Sequence, residues 1–169
     1  RYYEENPKPK STAFFEIKRR DEVIIFKDRF ISNIQAIRKM LGDGEYGSLT
    51  VKKGSNDFLN QLFIRKLRPT VLVSYKREAY VDEKNSNFRL TFDRELKAQR
   101  AYGLDFNFIS DEIITPGFTV LEAKFNRIMP AWFGMVIKAY NLSNVSFSKY
   151  CFSLESCGIV SRIELPSYS

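Results

Sequence analysis

The sequence predicts an α+β fold in which long antiparallel strands carry charged residues on one face and helices pack outside them. Three observations point there. First, two apolar stretches place an acid and a base two residues apart, Phe15-Glu-Ile-Lys18 and Val120-Leu-Glu-Ala-Lys-Phe125. Side chains alternate across a strand, so Glu16 and Lys18 share one face, as do Val120, Glu122 and Lys124, while the neighbouring apolar residues take the other. Second, a period-two run from Thr70 to Val81 meets the turn cluster Asp82-Glu-Lys-Asn-Ser-Asn87 and returns from Phe88 to Leu96, the pattern of a long hairpin. Third, apolar residues recur at helical spacing over 30–41, 56–67 and 130–142.

Taken in order, Asn6-Pro-Lys-Pro-Lys-Ser11 is a turn, and Arg1-Tyr2-Tyr3 before it is strand-like. Strands over 13–20 and 23–29 flank a turn at Arg20-Asp21-Glu22, a hairpin that aims Glu16, Lys18, Lys27, Arg20 and Arg29 at one region. Ile31, Ile34, Ile37 and Leu41 mark the first helix, which stops at Gly42-Asp-Gly44. Asn56 caps a second helix, whose apolar side is Phe58, Leu59, Leu62, Phe63 and Leu67. In the long hairpin Tyr75, Arg77 and Ala79 share a face, and Arg89, Thr91 and Asp93 lie opposite Leu90 and Phe92. A strand is expected over 104–109 and a turn at Thr115-Pro-Gly117, before the Val120 strand and a helix opening at Pro130. Residues 143–150 read as short and polar, and the tail from Cys151 shows no firm pattern.

Composition narrows the chemistry. At 169 residues, 44% hydrophobic and 15% aromatic, the chain is long enough to fold as one domain, 1–169, around a real core. Its net charge of +7 calls for an anionic partner. There is no histidine, which excludes Ser-His and Cys-His catalysis within this chain and leaves Glu, Asp, Lys and Tyr for proton transfer. Cys151 and Cys157 read as reduced thiols, which fits a cytoplasmic location. No run of about 18 apolar residues exists, so no membrane segment is expected.

A sheet cannot bury a charged face against a hydrophobic core, because unpaired buried charge is far too unfavourable. Two arrangements resolve this. An open sheet with one solvated face is one; an antiparallel β-barrel with a wet, cationic lumen suited to phosphate oxygens is the other.

Beyond periodicity, a series of blocks carries a resemblance: Phe14-Phe-Glu-Ile-Lys-Arg-Arg20, Lys27, Arg68-Pro-Thr-Val-Leu-Val-Ser-Tyr-Lys-Arg-Glu-Ala79, Phe88-Arg-Leu-Thr-Phe-Asp93, Val120-Leu-Glu-Ala-Lys-Phe125 and Ser148-Lys-Tyr150. In this order they resemble the VTC domain, the catalytic domain of vacuolar transporter chaperone polyphosphate polymerases, which belongs to the triphosphate tunnel metalloenzymes together with the CYTH proteins. The resemblance implies a tunnel of antiparallel strands and transfer of the ATP γ-phosphate to a growing polyphosphate chain, with Mn2+ or Mg2+. It assigns Lys18, Arg77, Arg89 and Glu122 to catalysis, Glu122 as the metal ligand. Lys18, Lys27, Arg77, Arg89, Lys124 and Lys149 become phosphate contacts, and Glu16 shares a face with them. Earlier strands of that family, with an Arg-x-Arg pair of which Arg1 would be the last, are missing, so the chain reads as a VTC-like domain lacking its first strands.

Phosphoryl transfer suits this residue set, since it rests on positioning and charge neutralisation and needs no histidine or cysteine nucleophile. ATP and polyphosphate are the expected partners. Nucleic acid is disfavoured because the basic residues fall on strand faces assigned inward. A triphosphate hydrolase of the same group, and a non-catalytic module binding polyphosphate or inositol phosphates, are the alternatives; the sequence sets no oligomeric state.

Overall fold

The computed structural model describes residues 1–4, 7–21, 24–42, 64–83, 87–104 and 107–161, excepting the side chains of 19–21, 24–28, 37 and 40–42. The chain divides into two compact units, Arg1–Pro69 with Tyr102–Asn107, and Thr70–Ala101 with Phe108–Ser169.

In the first unit β1 (Thr12–Asp21) and β2 (Ile24–Asn33) form an antiparallel pair. The register sets Phe15 against Phe30, Glu16 against Arg29 and Lys18 against Lys27. One face is thus aromatic, with the Phe15 and Phe30 rings stacked at 4.6 Å, and the other is charged. Arg1 and Phe14 exchange both backbone hydrogen bonds, at 2.6 and 2.7 Å, in keeping with the strand-like reading of the first residues.

The first helix starts later than its apolar spacing implies. Residues 30–33 belong to β2, because Phe30 and Ile31 find aromatic partners across the pair in Phe15 and Phe14. Helix α1 (Ile34–Gly42) begins only where Asn33 accepts the Ala36 N–H through Oδ1 at 2.8 Å. Ala13, Phe30 and Ile34 are buried there. The expected helix over 56–67 lies outside the described residues except at 64–67.

The second unit is a three-stranded antiparallel sheet in the order β3 (Val71–Val81), β4 (Arg89–Arg100), β5 (Val120–Lys124). Strand β4 runs beyond the expected end at Leu96 because it crosses a bulge: Arg94 opposes Lys76 and Lys97 opposes Ser74, so two residues of β4 face Tyr75 alone. Glu95 takes φ of 51° to make this step. The extra residue shifts the alternation, so Thr91, Asp93 and Leu96 are all buried.

Thr115-Pro-Gly117 is a turn as expected, with the Phe118 N–H donating to Thr115 O at 3.2 Å and Gly117 at φ 76°. The described part of 104–109 is not a strand. Its Ile109 is 95% exposed, and its N–H donates to the Gln99 side chain rather than to a neighbouring strand.

Helix α2 (Ala131–Ala139) is shorter than predicted, since Asn141 turns left-handed at φ 50° and the Leu142 N–H closes back on Ile137 O. It packs Trp132 and Phe133 around buried Phe88. A further helix, α3 (Lys149–Ser156), occupies a stretch with no helical expectation. Ser148 caps its start and Gly158, at φ 61°, ends it. It lies against β3 and β4. The protein is therefore mixed α and β with antiparallel sheets, and among the described residues no closed barrel is found.

Candidate functional site

The register of the second unit stacks residues in rows on one sheet face: Val81, Arg89 and Lys124; Ala79, Thr91 and Glu122; Arg77, Asp93 and Val120. The opposite face carries Glu78, Arg94, Tyr80 and Phe92, with Arg94 paired to Glu78. All the predicted residues of this unit's sheet, Arg77, Arg89, Glu122 and Lys124, therefore fall on one side, as strand alternation requires.

The centre of that face is a residue that was not among the predicted site residues. The Asp93 side chain is 1% exposed and takes a two-pronged contact from Arg77, Nε to Oδ1 at 2.6 Å and Nη2 to Oδ2 at 2.7 Å. Lys149 Nζ, delivered by the first turn of α3, reaches Asp93 Oδ2 at 2.6 Å. One buried carboxylate thus gathers a strand cation and a helix cation at a single point, the planar guanidinium matching the carboxylate geometry. The Tyr75 ring lies 5.2 Å from both the Arg77 guanidinium and the Lys149 ammonium, within range of a cation–π attraction. A signal for Asp93 was present: an aspartate inside an apolar strand, on the face of Arg89, is disfavoured unless cations receive it.

Beside this hub, Glu122 has Oε1 3.1 Å from Lys124 Nζ and Oε2 3.7 Å from Arg77 Nη2. Arg89 is exposed and sits directly across β4–β5 from Lys124. Like charges directly opposite repel, and a shared anion relieves the repulsion.

Electrostatics keep both acids ionised. Burial pushes the Asp93 carboxyl up, but the hydrogen bonds and charges of Arg77 and Lys149 outweigh it and hold the group below its ordinary value. Glu122 behaves likewise: burial raises it, while Lys124 first and then Arg77 and Lys149 pull it down. Arg77 is driven above its ordinary value chiefly by its hydrogen bond to Asp93. Each acid is held ionised by its cations and poorly suited to accept a proton, so the face is equipped to bind and orient charge.

Lys18 and Lys27 belong to the first unit, directly opposite each other in β1–β2. Lys18 is exposed, and the Lys27 side chain lies outside the described residues. On the same face Glu16, its side chain 7% exposed, receives Arg29 Nε at 2.7 Å and lies 3.4 Å from Arg1 Nε. This unit repeats the device of an acid holding two cations.

As a metal site, Glu122 is the more open carboxylate of this face, its side chain 39% exposed against 1% for Asp93, whose two oxygens are both held by cations within 2.7 Å. Among the described residues no group of three or more His, Cys, Asp or Glu could hold a metal ion. The donor set fits a divalent ion bound by one carboxylate and by the oxygens of a phosphate ligand, and does not fit an all-protein cage. No helix among the described residues is long and apolar enough to cross a membrane.

Fold and site together define a mixed α/β protein whose antiparallel sheets carry cations ordered by acids. The family model of the VTC domain matches residues 1–157, and the chain belongs to that family. Membership points to a polyphosphate-related function. No match was found among curated proteins.

Proposed function

We propose that the protein is a polyphosphate polymerase that transfers the γ-phosphate of ATP to a growing polyphosphate chain. The observation that carries this reading is the convergence of Arg77 and Lys149 on buried Asp93, beside Glu122 and Lys124, in a chain of the VTC family. The proposed setting is a cationic tunnel of antiparallel strands within one VTC-like domain, with the Arg77 face as wall.

Arg77, Arg89, Lys124 and Lys149 bind phosphate oxygens, and Lys18 and Lys27 are further phosphate contacts. In phosphoryl transfer, charge spreads over the oxygens of the transferred group, so fixed cations that need no reorganisation lower the barrier. Asp93 supplies the fixity by holding Arg77 and Lys149 in place before the substrate arrives. Glu122 with substrate oxygens would hold Mn2+ or Mg2+, which when bound neutralises phosphate charge. Arg77 then orients the triphosphate in line with the acceptor. A cytoplasmic setting is proposed as well, where the free thiols Cys151 and Cys157 would stay reduced.

The test is incubation of the chain with ATP labelled at the γ-phosphate and Mn2+, with products resolved on a gel. Long labelled polymer, lost in Glu122→Gln and Arg77→Ala, is the expected result. Released phosphate alone would make the protein a hydrolase, and binding of triphosphate without any product would make it a non-catalytic phosphate-binding module.

A further inference from the structure

Thr91 is 4% exposed, and its hydroxyl oxygen has no hydrogen-bond partner among the described residues. The register of β4 and β5 places it directly opposite Glu122, on the face that also carries Arg77 and Asp93. Buried hydroxyls are rarely left unpaired, because losing the hydrogen bonds to water is unfavourable. If packing were its only task, valine would fill the same volume without a polar atom. The hydroxyl therefore calls for a partner within reach.

Asp93 is a poor candidate for that partner, since both its oxygens already receive cations. Glu122 is a good one. Cross-strand neighbours have Cβ atoms roughly 4.5–5.5 Å apart. The Glu122 side chain is 39% exposed and so has room to turn, and its Oε2 lies 3.7 Å from Arg77, longer than a hydrogen bond.

We infer that Thr91 is a positioning residue: its hydroxyl donates to the Glu122 carboxylate when phosphate oxygens engage Lys124 and Arg77, and so orients Glu122 toward a divalent cation. Glu122 leans on Lys124 at 3.1 Å. With phosphate, that cation has a stronger partner, and the freed carboxylate turns onto the strand neighbour that lacks one. Hydrogen bonds from neighbouring groups to a ligating carboxylate set its direction and its affinity for metal. The inference rests on the reading of Glu122 as the metal-facing acid.

The test is calorimetric titration of inorganic tripolyphosphate into the 169-residue chain at a series of buffered free Mn2+ concentrations. Thr91→Val, Thr91→Ser and Glu122→Gln are compared with the unaltered chain. Thr91→Val, which keeps the shape, is expected to raise the Mn2+ concentration for half-maximal binding roughly tenfold, the lower end of what loss of such outer partners produces. Thr91→Ser, which keeps the hydroxyl, restores most of the loss. An unchanged Mn2+ dependence in Thr91→Val, with Glu122→Gln shifted, overturns the role of Thr91 alone. Equal loss in Thr91→Val and Thr91→Ser also overturns it, since the loss would then not follow the hydroxyl. If Glu122→Gln matches the unaltered chain, Glu122 is no metal ligand, and the inference falls with the reading beneath it.

Discussion

Replacing Asp93 with Asn keeps the shape of the central side chain and removes its charge. In the native site the carboxylate accepts two hydrogen bonds from Arg77 and one from Lys149, all between 2.6 and 2.7 Å. Asn retains one accepting oxygen and turns an NH2 group toward a cation, so at least one donor faces another donor. Charge-assisted hydrogen bonds contribute about 1.5–3 kcal/mol each, and breaking a buried pair from one side costs about 3–5 kcal/mol. The Arg77 and Lys149 side chains keep 24% and 18% of their exposure and can recover some hydration, which brings the loss just below that range.

The expected loss is therefore about 2–3 kcal/mol. At roughly 2–4 °C per kcal/mol for a chain of this size, the melting temperature falls by about 4–12 °C. Thermal melts followed by circular dichroism, and urea titrations, measure it. Because Lys149 acts through Asp93, Lys149→Met should add little once Asp93→Asn is present. A melting temperature that stays put in Asp93→Asn, or losses for the two changes that add to within about 0.5 kcal/mol, would refute the idea of a shared hub.

Acidity should expose the same hub. Asp93 and Glu122 are both more acidic folded than unfolded. The stability they provide is thus fully present above the ordinary carboxylate value of about 4 and is lost as pH falls through their lower folded values. Urea midpoints should drop on acidification from roughly pH 5 to pH 3, and less steeply in Asp93→Asn. Ser148→Ala removes the acceptor for the Cys151 N–H at 3.3 Å and should lower stability by about 0.5–1 kcal/mol in urea titration. Gly117→Ala meets no atom within 4 Å of the added carbon, yet φ of 76° should still make it destabilising by about 1–2 kcal/mol, read from the same titration.

The strand faces were legible because alternation is a property of the backbone. Glu16 with Lys18, Arg77 with Arg89, and Glu122 with Lys124 all fall where period two puts them. What alternation does not encode is register, so the opposition of Lys18 and Lys27, and of Thr91 and Glu122, had to come from the structure. The bulge at Glu95 shifts the pattern by one residue and hid the extension of β4 to Arg100.

Helix α3 went unread because its apolar spacing is weak. Its two end signals, Ser148 and Gly158, lie ten residues apart in a stretch that reads as polar up to residue 150 and without firm pattern from Cys151. That helix brings Lys149 to Asp93, so the central carboxylate escaped with it. The late start of α1 has a similar cause: Phe30 and Ile31 satisfy helical spacing, but Phe15 and Phe14 across the hairpin claim them for β2.

The most direct test of polymer synthesis is phosphorus NMR of ATP turning over with the chain and Mn2+. A growing resonance of mid-chain phosphates, absent in Arg77→Ala, is the result the account predicts. Loss of the ATP γ signal into inorganic phosphate alone, or no turnover by a chain that is folded and binds tripolyphosphate, would contradict it.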